Sequence, residues 1–109
     1  LLELTNFYEE SDNKYIQNLM NTFDFKNAKI YQELEFIYES DNIYHGVIDL
    51  VLEYSNEIKI IDYKLKDITD KEYEKQLKVY YEYFKTLTNK KITLYLYSII
   101  DNLVKIVEV

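Results

Sequence analysis

Two aspartates and a lysine carry the chemistry that this sequence most directly offers. Asp49 lies in Gly46-Val47-Ile48-Asp49-Leu50-Val51, where alternation puts it on one face with Val47 and Val51. An unpaired carboxylate costs several kcal/mol to desolvate in such a place, so it needs a cation nearby. Asp62 and Lys64, in Ile60-Ile61-Asp62-Tyr63-Lys64, are two residues apart and project side by side at the end of an apolar strand. Two acids and a lysine that converge across a short hairpin suit hydrolysis of a phosphodiester. Asp49 and Asp62 offer hard oxygen ligands to a divalent ion, which for Mg²⁺ sits at roughly 2.0–2.1 Å and keeps several waters. Such an ion polarises the phosphate and acidifies water, while the compact ammonium of Lys64 can orient that water or offset charge developing on the phosphate. A plainer reading stays open, in which Asp62 and Lys64 form a same-face ion pair worth ~1 kcal/mol or less and Asp49 is an edge or turn neighbour.

Those side chains must be positioned by the elements around them. From about Glu10 to Phe23, helical spacing of Tyr15, Ile16, Leu19, Met20 and Phe23 predicts an amphipathic helix. Alternation from Lys29 to Tyr38, with Ile30, Leu34 and Phe36 on one side and Tyr31, Glu33 and Glu35 on the other, predicts a strand. Ser40-Asp41-Asn42 supplies a turn, and Ile43 to Tyr54 resumes the period of two with Tyr44, Ile48, Leu50 and Leu52 on one face. Ser55-Asn56 turns the chain again into a strand from Glu57 to Lys64. Thr69-Asp70-Lys71-Glu72 has the spacing of a capping box, predicting a helix with Tyr73, Leu77, Tyr80, Phe84 and Leu87 on one stripe and Asn89 as a left-handed cap. Lys91 to Ile100, a turn at Asp101-Asn102, and Leu103 to Val109 complete the pattern. The order α-β-β-β-α-β-β predicts an α/β fold with a mixed sheet flanked by helices.

Composition narrows the function classes. At 109 residues the chain is long enough for one modest core and is read as a single domain spanning residues 1–109. No apolar run approaches the roughly 20 residues needed to cross a bilayer, and the absence of cysteine excludes disulfides, tetrathiolate zinc and thiolate-held iron–sulfur clusters. The expectation is a cytoplasmic protein with no membrane partner. With 20 acidic and 13 basic residues the net charge is -7, which argues against gripping nucleic acid by phosphate neutralisation alone. Any action on DNA therefore requires help in holding it.

Gly46-Val47-Ile48-Asp49-Leu50, then Ile61-Asp62-Tyr63-Lys64, then Gln76 to Tyr80 resembles the ordered signature G-x-x-D, D-Y-K, Q-x-x-x-Y of the RecB and AddA nuclease domains, within the PD-(D/E)XK superfamily. The resemblance covers roughly residues 46–80 and implies a restriction-endonuclease-like fold. It assigns Asp49 and Asp62 to metal binding, Lys64 to catalysis, and Gln76 with Tyr80 to a helix motif that supports the site. Positions 76 and 80 are one helical turn apart and can face one target, although core packing explains Tyr80 equally well. Glu33 is similar to the family's acid ahead of the G-x-x-D strand, and the resemblance adds it to Asp49 and Asp62 as a metal ligand. Glu35 competes for that place, and a solvated strand face explains both. The family's upstream histidine ligand has no counterpart. The lone His45 precedes Gly46, and Gly46 itself fits a need for close backbone approach or a bulge.

What the resemblance implies is a Mg²⁺- or Mn²⁺-dependent DNA exonuclease of a helicase-nuclease, acting in double-strand break repair. Its partners would be a single DNA strand, the helicase domain of the same polypeptide and a partner subunit. The beginning at Leu1 is read as a cut that leaves out the family's N-terminal helical part. The alternative is a catalytically inactive nuclease fold used for binding or scaffolding. AddB-like relatives carry cysteines for an iron–sulfur cluster, and their absence here counts against that branch.

Overall fold

Alternating apolar residues in five segments, interrupted by polar turns, build one sheet. The computed structural model describes residues 14–109. Among them, helix α1 (Lys14–Thr22) is followed by strands β1 (Lys29–Glu39), β2 (Ile43–Glu53) and β3 (Glu57–Lys64), helix α2 (Lys71–Lys85), and strands β4 (Lys91–Ser98) and β5 (Leu103–Val107). The sheet order is β1-β2-β3-β4-β5. Neighbours are antiparallel except β3 and β4, which run parallel because α2 carries the chain back across the sheet between them. The protein is thus α/β with a five-stranded mixed sheet and two helices. None of the described helices is long and apolar enough to cross a membrane.

The sheet is buried on both faces at its centre. On one face Leu77, Tyr80 and Phe84 of α2 pack over Ile58, Ile60, Leu94 and Leu96; on the other Leu19 of α1 and Phe23 meet Leu50, Leu52, Ile61 and Tyr97. β3 contributes Ile58 and Ile60 to one layer and Ile61 and Tyr63 to the other. That is why its sequence is nearly continuous in apolar residues.

Several local expectations change. The first helix was expected from Glu10; residues 10–13 lie outside the described residues, and α1 ends at Thr22. The second helix is capped by Asp70, whose side chain accepts from the Glu72 N–H at 2.9 Å, and not by a Thr69 capping box. Thr69 donates its hydroxyl to Asp67 instead, stabilising the loop just before the helix. The helix stops at a right-handed Thr86, so Asn89 is no left-handed cap and Leu87 falls off the stripe into solvent. Strand β4 ends at Ser98, two residues early, and Asn102 takes the positive φ of the turn into β5.

The predicted faces of β1 and β2 are also revised. Ile48 and Val51 belong to the α2-side layer, whereas Leu50 and Leu52 belong to the α1-side layer, so Ile48 and Leu50 do not share a face. In β1 the same inversion puts Tyr31 with Leu34 and Phe36 on the α2 side and leaves Ile30 largely exposed. The inversion falls at Glu33, whose φ is 48, in the step between the pairs Gln32↔Leu50 and Leu34↔Ile48. Both strands turn over together, so the pairing register is unchanged across the break.

Candidate active site

The β2–β3 ladder runs from Glu53↔Ile58 to Leu50↔Ile61 and stops. One step further Asp49 and Asp62 face each other where the hairpin opens. Asp49 is half-buried, and its Oδ2 accepts from the backbone N–H of Tyr63 at 2.8 Å, the only tie across the fork that its side chain makes to the β3 backbone among the described residues. The carboxyl of Asp62 lies within hydrogen-bonding reach of it. Burial, followed by that neighbouring acid, pushes the Asp49 carboxyl up to about 7, against the pull of the Tyr63 N–H and the Lys64 charge.

Asp62 keeps only 3% of its surface exposed. Lys64 Nζ stands 2.9 Å from Asp62 Oδ2, yet that oxygen receives no aligned hydrogen bond. The contact is therefore one of charge without a directed donor, and a buried carboxylate oxygen is left with unused acceptor capacity. Lys64 is held from its other side by the ring of Tyr73, whose centroid is 4.2 Å from Nζ. With 22% of its side chain exposed, Lys64 forms the border between the acid pair and solvent.

Helix α2 closes the site from above. Tyr80 is buried, packs edge-on against Phe36 at 5.3 Å, and donates its hydroxyl to the Val47 carbonyl at 3.3 Å. Burial, together with the charges of Asp62 and Asp49, raises its phenol well above the ordinary value. Gly46 lies beneath the same Phe36 ring: a Cβ there would come within 3.1 Å of Phe36 Cε1. The expected close approach at Gly46 is thus an aromatic ring laid over the strand.

The structure brings together Asp49, Asp62 and Lys64, with Tyr80 in the layer above. Glu33 is not gathered with them: it is exposed on β1, and among the described residues no three of His, Asp and Glu come together as a group able to hold an ion. The positive φ at Glu33, which sequence alternation does not anticipate, explains why the expected face was wrong. Glu35 and His45 are exposed as well, His45 pairing with Ile37 along the ladder. Gln76 is exposed on α2, one turn before Tyr80.

Two contributors escape the sequence reading. Tyr73 looked like core but serves as a platform for Lys64; its position four residues before Leu77 gave only the helical stripe. The Tyr63 backbone N–H, bound to Asp49, leaves no side-chain signal at all. The donor set suits a hard divalent ion: two carboxylates close enough to repel when both are charged, and one buried oxygen without a donor. No protein-family model matches the sequence, and no curated protein matches it.

Proposed function

We propose that this chain is a Mg²⁺- or Mn²⁺-dependent deoxyribonuclease domain of the RecB/AddA type, with a restriction-endonuclease-like fold. It would act as the exonuclease of a helicase-nuclease in double-strand break repair, on a single strand delivered by a helicase domain of the same polypeptide beside a partner subunit. The observation that carries this reading is the pairing of Asp62, only 3% exposed, with Asp49 beside a single ammonium, that of Lys64, 2.9 Å from Asp62 Oδ2. When both acids are ionised one lysine offsets only half of their charge, and a divalent ion would answer the rest.

Asp49 and Asp62 would hold the ion, whose chemistry there is Lewis-acid polarisation of a phosphate and acidification of water. Lys64, held between Asp62 and the Tyr73 ring, binds a phosphate oxygen and offsets the charge that builds on it during hydrolysis. Tyr80 fixes the backbone of β2 two residues before Asp49 and thereby the aim of that acid. Gln76, exposed one turn earlier, is available to the incoming strand. The net charge of -7 makes the domain dependent on its neighbours to retain DNA.

The test joins metal uptake to cutting. Mn²⁺ titration followed by loss of the free-ion paramagnetic resonance signal should show one site that Asp62→Asn removes. Linear DNA should be degraded by the polypeptide carrying this chain and not by its Asp62→Asn form. The acidic charge favours one second reading, a scaffolding domain that keeps the fold without catalysis. Mn²⁺ uptake with no degradation under any condition would select it.

A further inference from the structure

A second feature lies beyond the acid pair, at the far end of the β1–β2 hairpin. Tyr38 and Tyr44 are direct partners across the ladder, with ring centroids 6.3 Å apart and planes within 21°. Tyr38 is braced edge-on by Tyr83 of α2, which itself packs on Phe36 and Phe84. Cross-strand aromatic pairs stabilise a hairpin by roughly 0.2–1 kcal/mol, which accounts for the pair. It does not account for the open groove of about 300 Å³ beside it, lined also by Lys75, Lys78, Val79 and Glu82.

Those four residues are spaced i, i+3, i+4 and i+7, so they form one face of α2. The charged lining is two lysines against one glutamate, on a chain whose total charge is -7. Lys75 pairs with Glu72 at 3.0 Å, but both side chains are largely exposed and such a pair exchanges readily for another anion. Among the described residues Lys78 joins no ion pair. An aromatic pair flanked by two lysines, one of them in no ion pair among the described residues, matches the way single-stranded nucleic acid is held, by bases on rings and phosphates on cations.

We propose that this groove is a landing platform for a single-stranded nucleic acid, with Tyr38 and Tyr44 stacking a base and Lys75 and Lys78 holding its phosphates. Asp49 lies further along the strand that carries Tyr44. From Tyr44 to Asp49 is five residues of β2, about 17 Å at strand rise, a span of a few nucleotides. Val79 of the groove adjoins Tyr80, whose hydroxyl binds Val47 along that path. The inference rests on the nuclease reading only for where the strand goes next.

The test measures anisotropy of a short fluorescein-labelled oligothymidylate with the whole chain in EDTA, which stops cutting. Saturable binding is expected, weakened at least about tenfold by Tyr38→Ala with Tyr44→Ala and unchanged by Tyr38→Phe with Tyr44→Phe, because stacking needs the rings and not the hydroxyls. Circular dichroism reports whether each variant folds, and the phenylalanine pair keeps the test valid if the alanine pair does not. Lys75→Gln with Lys78→Gln should lower the salt slope by about 0.7 per lysine. No binding by the wild-type chain, undiminished binding by a folded alanine pair, or equal binding of duplex or polyglutamate overturns the platform. Binding of oligothymidylate without Mn²⁺ uptake overturns the nuclease reading alone, and Mn²⁺ uptake without such binding overturns the platform alone.

Discussion

Glu33 stands across the β1–β2 ladder from Asp49, and its φ of 48 marks the step at which both strands turn their side chains over. Holding a non-glycine residue in the left-handed region costs on the order of 1–2 kcal/mol. The inversion sends Ile48 to the α2 layer and Leu50 to the α1 layer, leaving Asp49 between them at the open fork with Asp62. Glu33 therefore acts through its backbone. Glu33→Gly should stabilise the chain by roughly 0.5–1 kcal/mol after the added freedom of the unfolded chain is subtracted, seen as a higher urea midpoint, while leaving Mn²⁺ uptake unchanged. Loss of uptake in that variant would make the Glu33 carboxylate a ligand after all.

The acid pair makes stability depend on pH in the metal-free chain. Folded, the Asp49 carboxyl holds its proton to about pH 7; unfolded, it releases it near its ordinary value of 3.8. Between those values the folded state binds more protons, so the contribution to stability is full below about pH 4 and is lost as pH rises through 7. Asp49→Asn keeps an acceptor for the Tyr63 N–H and removes the charge. In EDTA it should stabilise the chain at pH 8 by about 1 kcal/mol, a figure held low because Asp49 retains solvent, or a Tm rise of roughly 4–8 °C. The gain should vanish by pH 4. Thermal melts of both proteins across that range decide it, and equal gains at both ends would contradict the coupling of Asp49 to Asp62.

Much of this architecture is legible in the residues. The extent of β2, the period of two in β3, the turns at Asp41-Asn42 and Ser55-Asn56, and the helical stripe Tyr73, Leu77, Tyr80, Phe84 each follow from local pattern. Asp62 and Lys64, two apart on one strand, had to share a face. What could not be read is the inversion at Glu33 and Asp49, because alternation counts residues and knows nothing of a single positive φ. The cap at Asp70 was hidden for another reason: Thr69 and Asp70 are both good caps, and only the competing Asp67–Thr69 bond decides between them.

Gly46 tests how the aromatic layer supports the site. A methyl at this position would meet the Phe36 ring at 3.1 Å, and that ring is wedged against Tyr80 and Tyr83 and cannot retreat freely. Gly46→Ala should cost about 1–3 kcal/mol, as overpacking does. A smaller partner should relieve it: Phe36→Leu with Gly46→Ala should be more stable than the sum of the two single losses predicts. A double-mutant cycle by urea denaturation gives the coupling, and additivity within about 0.5 kcal/mol would mean that the contact is not what Gly46 accommodates.

Lys64 separates the chemistry of the site from its stability. Its ammonium is fixed between Asp62 at 2.9 Å and the Tyr73 ring at 4.2 Å, and stays partly open to whatever approaches. Removing one such preorganised charge usually costs about 10²–10³ in rate. On the proposed nuclease reading, in a polypeptide that also carries a helicase, Lys64→Ala should therefore abolish measurable cutting while ATP-driven unwinding stays nearly intact, because Lys64 would belong to neither the motor nor its track. Tyr73 acts one step removed. Tyr73→Phe keeps the ring and should cut normally, whereas Tyr73→Leu forfeits roughly 0.5–1 kcal/mol of cation–π holding and should slow cutting by about two- to fivefold. The decisive comparison is nucleolysis against unwinding in the same preparations of all four proteins. Cutting at the wild-type rate with Lys64 removed would sink the nuclease assignment of this site, and equal rates for Tyr73→Leu and wild type would confine Tyr73 to packing.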